Sequence, residues 1–154
     1  MKYFNWLHFW QRRNMVHTRQ ILLEAQMALD VRDYPLVEAL VVPYLLKHTD
    51  DTAAYMLLGR AALEQEKWPD ALAIFGEVIE HNPSEPWVWA LLGYAALNAG
   101  KYAIALSALQ RARNENPQNE AILEALLTIA QRIDSPSLRT SVEKDIQELQ
   151  VPAT

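Results

Sequence analysis

The sequence predicts an all-α protein built from repeated helix pairs, and three observations carry that expectation. Ala and Leu crowd the chain while β-branched residues are sparse, a balance that favours helix over strand. Hydrophobic residues make up 51% of the 154 positions and Gly only 4, so the chain can bury a core and is unlike a disordered or linker-like sequence. The third observation is internal self-similarity at a fixed period.

Two segments define the period, which is about 34 positions. AAYMLLGRAALEQEKWPDALAIFGEVIEHNPSEP, from Ala53, lies over WVWALLGYAALNAGKYAIALSALQRARNENPQNE, from Trp87, without a gap. In that register Tyr55 falls on Trp89, Leu58 on Leu92, Gly59 on Gly93 and Ala62 on Ala96. Further along, Trp68 falls on Tyr102, Ala71 on Ala105, Phe75 on Leu109, Val78 on Ala112 and Pro83 on Pro117.

This pattern resembles the tetratricopeptide repeat: an aromatic, Leu-Gly, a small residue, then Ala, Phe and Pro at set offsets. The resemblance implies a helix, a turn and an antiparallel helix in each unit. Gly59 and Gly93 then let the two helices approach closely, and Pro83 and Pro117 end the second helix. The register extends backwards, since Ala25, Tyr34 and Pro35 lie one period before Gly59, Trp68 and Pro69. Residues 18–51 therefore read as a degenerate repeat, with Glu24 and Val37 where Leu and Ala are expected, followed by repeats at 52–85 and 86–119. Residues 120–149 read as a divergent helix pair that caps the stack, with Asp134, Pro136 and Arg139 departing from the pattern, and 150–154 as a tail. The implied architecture is a single domain, a right-handed superhelix whose concave face is lined by the first helix of each pair.

The two tryptophans of PWVWALLGYAAL, Trp87 and Trp89, point to nearly opposite sides of one helix, because two residues turn it by about 200°. Trp89, Leu92, Gly93 and Ala96 occupy the positions that the repeat buries. The other side carries Trp87, Ala90, Tyr94, Leu97 and Asn98. The equivalent positions include Met56, Arg60 and Leu63 in the preceding unit, and Leu22, Gln26 and Leu29 in the first. Together these form a candidate peptide-binding groove that is mostly apolar, and an apolar surface rimmed by polar groups marks a docking site. The family's best-known groove clamps a partner's terminal carboxylate with Lys and Asn. Leu22, Gln26 and Trp87 stand at matching positions here, so the expected recognition is through apolar anchors instead. An alternative stays open, in which another segment covers the groove and makes Trp87 and Tyr94 ordinary core.

The first seventeen residues form a distinct aromatic segment. Tyr3, Phe4, Trp6, Phe9 and Trp10 fall within ten residues, and Lys2, Arg12 and Arg13 give residues 1–14 three positive charges and no acid. Three readings compete: a short helix packed on the first repeat through Tyr3, Leu7 and Trp10, an anchor at a membrane interface, or a plug for another subunit's groove that yields a homo-oligomer. Its basic pair follows the apolar part, the reverse of a secretory signal, so the start reads as part of the mature protein.

Several function classes are disfavoured. Net charge is −5, with 14 basic and 19 acidic side chains and no basic stripe, which argues against a nucleic-acid partner. No stretch approaches the roughly 18 apolar residues of a membrane span. There is no cysteine, so neither disulfides nor thiolate chemistry arise, consistent with a cytoplasmic protein. His8, His17, His48 and His81 have no ligand spacing, and neither an HExxH pattern nor a phosphate-binding loop is present, so no metal, cofactor or catalytic residue is expected. The expected function is a non-enzymatic protein–protein interaction module that holds a hydrophobic or amphipathic segment of a client. Its size, charge and lack of cysteine are similar in a general way to cytosolic chaperones of bacterial type III secretion. The competing expectation is an assembly factor or scaffold, oligomerised or membrane-tethered through the aromatic start.

Overall fold

The computed structural model describes residues 19–82 and 86–150, and the chain forms two compact units, residues 1–61 and 62–154. The aromatic segment 1–17, the helix-ending role expected of Pro83 and the tail beyond residue 150 lie outside the described residues. Every described element is a helix: α1 (19–30), α2 (Tyr34–Leu45), α3 (Thr52–Glu64), α4 (Trp68–His81), α5 (Pro86–Asn98), α6 (Tyr102–Glu115), α7 (Glu120–Arg132) and α8 (Pro136–Gln150).

Local chemistry sets the helix ends. Asp33 Oδ1 accepts from the Leu36 N–H at 3.2 Å, and Asn119 Oδ1 accepts from the Ile122 N–H at 3.2 Å, each capping the helix that follows. Asp51 Oδ1 does the same for Ala54 at 3.2 Å. Pro35 and Pro69 stand in the first turns of α2 and α4, where a missing N–H leaves nothing unsatisfied. At the other end, α6 stops at Glu115, two residues short of Pro117.

The first helix of each pair ends in one recurring geometry. Arg32, Glu66, Gly100 and Asp134 have φ of 60°, 56°, 71° and 50°, and each stands one period after the last. In each case the next N–H reaches five residues back: Asp33 to Ala28, Lys67 to Ala62, Lys101 to Ala96 and Ser135 to Ala130, at 2.8–2.9 Å. The left-handed residue itself donates three residues back, closing a Schellman-type turn. Among the described residues the turn therefore occurs four times, including in the first and last described pairs, where the sequence pattern is weakest. Only one of the four positions is Gly, so the other three turns hold side chains in a region that L-residues enter at a cost.

In the first unit, Ala25, Ala28 and Leu29 of α1 pack with Val37, Val41 and Tyr44 of α2 and with Ala54, Leu57 and Ala61 of α3. Tyr44 places its ring against this cluster and stacks on His48, with centroids 4.4 Å apart. Its hydroxyl donates to Asp51 Oδ2 at 2.6 Å, so one carboxylate both caps α3 and fixes the end of α2. Burial first, then the hydrogen bond and charge of Asp51, and lastly Asp50, raise the phenol far above its ordinary value.

In the second unit, Ala105, Leu109 and Ala112 of α6 share a core with Ile122, Leu126 and Ile129 of α7 and Val142 of α8. Helix α5 packs on both α4 and α6. The approach to α6 depends on Gly93: a Cβ there would lie 2.5 Å from Leu109 Cγ and 3.3 Å from the Leu109 backbone nitrogen. Arg113 ties α6 to α8, pairing with Asp145 and donating to Ser141 Oγ at 3.1 Å.

These contacts can be tested by substitution. In chemical denaturation, Gly93→Ala is expected to destabilise the protein on balance, because overpacking of about 1–3 kcal/mol exceeds the roughly 1 kcal/mol that Ala gains in helix propensity. In the same assay Glu66→Gly is expected to stabilise by about 1 kcal/mol and Gly100→Ala to destabilise by a similar amount. Tyr44 supplies a second prediction. Its folded form holds its proton more tightly than the unfolded phenol, which ionises near pH 10. The stabilisation is whole below about pH 10 and drains away as pH rises above it. Stability against urea, measured from pH 8 to 11, should fall in wild type and fall less steeply in Tyr44→Phe, which starts about 1–3 kcal/mol lower.

Candidate functional site

Helix α5 resolves the two tryptophans. Val88, Leu92, Ala95 and Ala96 are buried, and Trp89 is half-buried against the second unit's core. The guanidinium carbon of Arg111 sits 4.4 Å from the Trp89 ring centroid, a cation–π contact worth about 0.5–1 kcal/mol at such a site. On the other side, Trp87 and Tyr94 remain 49% and 41% exposed. They stand seven residues apart, two helical turns, so both rings mark one stripe about 10 Å long.

At its C-terminal end that stripe borders an open cleft of about 420 Å³. Tyr94, Leu97 and Asn98 of α5 form one wall, and Glu124, Ala125, Thr128 and Arg132 of α7 the other, with Gly100 and Tyr102 closing the end. Two polar groups are satisfied within their own helices: Asn98 Nδ2 donates to the Tyr94 carbonyl at 2.8 Å, and Thr128 Oγ1 to the Glu124 carbonyl at 3.0 Å. The cleft presents an aromatic ring, an aliphatic wall, a carboxylate and a guanidinium together. A second cleft, of about 410 Å³, lies where α6 meets α8, lined by Arg113, Asn114, Pro117, Gln118, Asp145, Glu148 and Leu149. Its cation is already paired with Asp145, so it reads as a structural joint.

The expected groove residues divide by position. Trp87, Ala90, Tyr94, Leu97 and Asn98 share one stripe of α5, with Ala90 and Leu97 half-buried where they also touch the core. Leu63 is half-buried and Arg60 exposed. In the first unit Leu22 is half-buried against the core, and Gln26 donates to Asp30 Oδ1 at 2.7 Å. Leu29 and Met56 depart from the expectation, being only 2% and 6% exposed. Leu29 lies one turn after Ala25 on the same stripe and turns inward with it, joining Val37 and Val41 in the core.

Glu124, Thr128 and Arg132 were not among the expected residues. They lie one period beyond Ala90, Tyr94 and Asn98, so carrying the same register into α7 finds them. They place a carboxylate and a guanidinium in the same cleft as Tyr94, Leu97 and Ala125, where the sequence led one to expect a mostly apolar surface. Among the described residues no group of three or more His, Asp or Glu could hold a metal ion, and no helix is long and apolar enough to cross a membrane.

Four like turns, paired helices and a cleft between the first helices of successive pairs define a helical-repeat protein. Family comparison specifies which repeat. Residues 22–86 and 62–129 each match a model described as tetratricopeptide repeat, and the chain belongs to that family. Such repeats build extended concave surfaces for binding, and the family's members are protein–protein interaction modules rather than enzymes as a rule. Solved structures agree on the fold. The MamA RS-1 ArsTM double mutant superposes with a TM-score of 0.81 at 18% identity, covering 95% of this chain and 82% of that one. MamA 41-end from Desulfovibrio magneticus RS-1 gives 0.79 at 18% identity, with 95% and 82% covered. The TPR2B domain of yeast Sti1, in its pHsp70 complex, gives 0.58 at 17% identity, with 86% and 94% covered. No curated protein is similar enough to count as a relative.

The placement of Leu29 yields a direct test. Leu29→Ala is expected to cost about 2–5 kcal/mol in urea denaturation, the price of a core cavity, whereas Asn98→Ala is expected to cost under about 1 kcal/mol.

Proposed function

We propose that this protein binds a segment of a client protein along the exposed stripe of α5 and in the cleft between α5 and α7. The supporting observation is the exposure of Trp87 and Tyr94, at 49% and 41%, on a helix whose other side is buried. Large aromatics at a rimmed surface act as anchors, because they bury much area with little side-chain entropy to lose. Leu97 and Ala125 extend the apolar floor, while Glu124 and Arg132 pair with charges flanking the client's apolar residues. A client segment with two apolar side chains about two helical turns apart, bordered by one basic and one acidic residue, fits this layout. The pHsp70 complex of the Sti1 domain supports the reading that such a scaffold receives a partner's segment.

The finer role is that of a cytoplasmic holding chaperone, for which the general likeness to secretion chaperones in size, acidity and lack of cysteine is the support. Aggregation-prone export subunits are therefore the first clients to try.

The test uses peptides selected for binding to the wild-type protein, with affinity read by fluorescence polarisation. Trp87→Ala and Tyr94→Ala are each expected to weaken binding at least about tenfold, about 1.4 kcal/mol, while melting temperature changes little. Glu124→Lys and Arg132→Glu should shift preference towards peptides with the corresponding flanking charge reversed. Unchanged affinity in the aromatic variants would sink the proposal. So would a large fall in melting temperature, which would make the two rings core.

A further inference from the structure

Helix α2 is apolar on both sides, and one of those sides is open. Its sequence, YPLVEALVVPYL, holds a single charged residue, Glu38. Val37, Val41 and Tyr44 enter the core of the first unit. On the opposite side stand Pro35, Leu36, Ala39, Val42, Pro43 and, just past the helix end, Leu46. All six are exposed, Leu46 at 79%. They form a stripe about 15 Å long without a polar side chain, whereas a helix that is apolar all round is ordinarily covered all round.

The other second helices are polar at the same register positions. One, two and three periods after Val42, Pro43 and Leu46 stand Gly76, Glu77 and Glu80, then Gln110, Arg111 and Asn114, then Lys144, Asp145 and Glu148. Packing of a repeat therefore does not call for apolar residues there. Charge narrows what the stripe of α2 receives, since residues 19–51 carry six carboxylates against three cations and so repel an anionic lipid surface. The stripe is also self-complementary. Read from either end it runs large, small, small, large, from Leu36 through Ala39 and Pro43 to Leu46, as two-fold pairing of like surfaces requires. The flanks agree: Arg32 and Asp33 precede the helix and Lys47 and Asp50 follow it, all exposed. Two copies laid antiparallel bring Arg32 towards the partner's Asp50 and Asp33 towards the partner's Lys47, whereas parallel copies set like charge on like. Antiparallel helices also align their dipoles favourably.

We propose that the outer stripe of α2 is the seam of a two-fold dimer, in which it packs on the same helix of a second copy. Leu36 then lies over the partner's Leu46, and Ala39 over the partner's Pro43. The small residues at the centre let the two helices approach closely, and the large ones close the seam at each end. A contact of this size buries about 1,000 Å², the lower end for specific interfaces, so the dimer dissociates with a Kd of about 1–100 µM. The seam uses no residue of α5, which keeps dimerisation separable from client binding.

Sedimentation equilibrium on the full chain, from about 1 to about 300 µM, tests this. Wild type is expected to pass from monomer to dimer mass across that range. The double variant Pro43→Glu with Leu46→Glu installs what α4 carries at those positions, Glu77 and Glu80, so the fold tolerates it. It should weaken dimerisation at least about tenfold while the melting temperature of the dilute protein stays unchanged. Arg32→Glu keeps its turn, as Glu66 does one period on, and should weaken the dimer about threefold or more; adding Asp50→Arg should restore it. Trp87→Ala should leave the dimer untouched. Wild type that stays monomeric throughout would overturn the proposal, as would a double variant that dimerises like wild type. Failure of Asp50→Arg to rescue Arg32→Glu would overturn the antiparallel seam, and loss of the dimer in Trp87→Ala would move it to α5. Binding to phospholipid vesicles, lost in the double variant and seen without any dimer, would overturn it in favour of a membrane surface.

Discussion

The reversal of the chain after each first helix is the constraint on which the rest depends. A residue at φ between 50° and 71°, once in every repeat, ends that helix and returns the backbone antiparallel to it. Each turn satisfies two carbonyls that a helix end would otherwise leave open. Because the turn is set by backbone hydrogen bonds, Arg32, Glu66 and Asp134 can hold it as well as Gly100, although at a cost in strain. That tolerance explains how the first and last pairs keep the geometry of the middle ones while their side chains diverge.

Regular reversal fixes which side of each first helix is buried. In α5 the close approach at Gly93 brings Leu109 against the backbone, which leaves the opposite stripe outward with Trp87 and Tyr94 on it. Helix α7 then stands beside α5 and completes the cleft. The scaffold is stiffened elsewhere, by Tyr44 on Asp51 between α2 and α3 and by Arg113 on Asp145 between α6 and α8. Those polar groups are consumed in joining helices, whereas Glu124 and Arg132 are exposed where they line the cleft.

Much of this was legible in the residues. The repeat register indicated paired helices, set Trp89 and Trp87 on opposite sides of one helix, and matched Pro35 to Pro69, which both stand in a first helical turn. The cap of α3 is as local as those of α2 and α7, since Asp51 accepts from Ala54 three residues on. Less legible was the boundary between groove and core. Leu29, Leu63 and Leu97 share one register position, yet the first is buried and the other two are half-buried. Periodicity gives the angle of a residue on its helix, not the depth to which neighbouring helices cover it.

The sequence by itself determined the helices and their antiparallel pairing in repeated units, because those follow from spacing along one chain. Only the tertiary structure decided that Leu29 and Met56 are withdrawn from the surface. It also brought Glu124, Thr128 and Arg132 across from Tyr94, turning an expected apolar groove into a cleft with two charges. The reason is physical: accessibility and juxtaposition depend on which second surface arrives at a helix face, and that surface comes from residues distant in the chain.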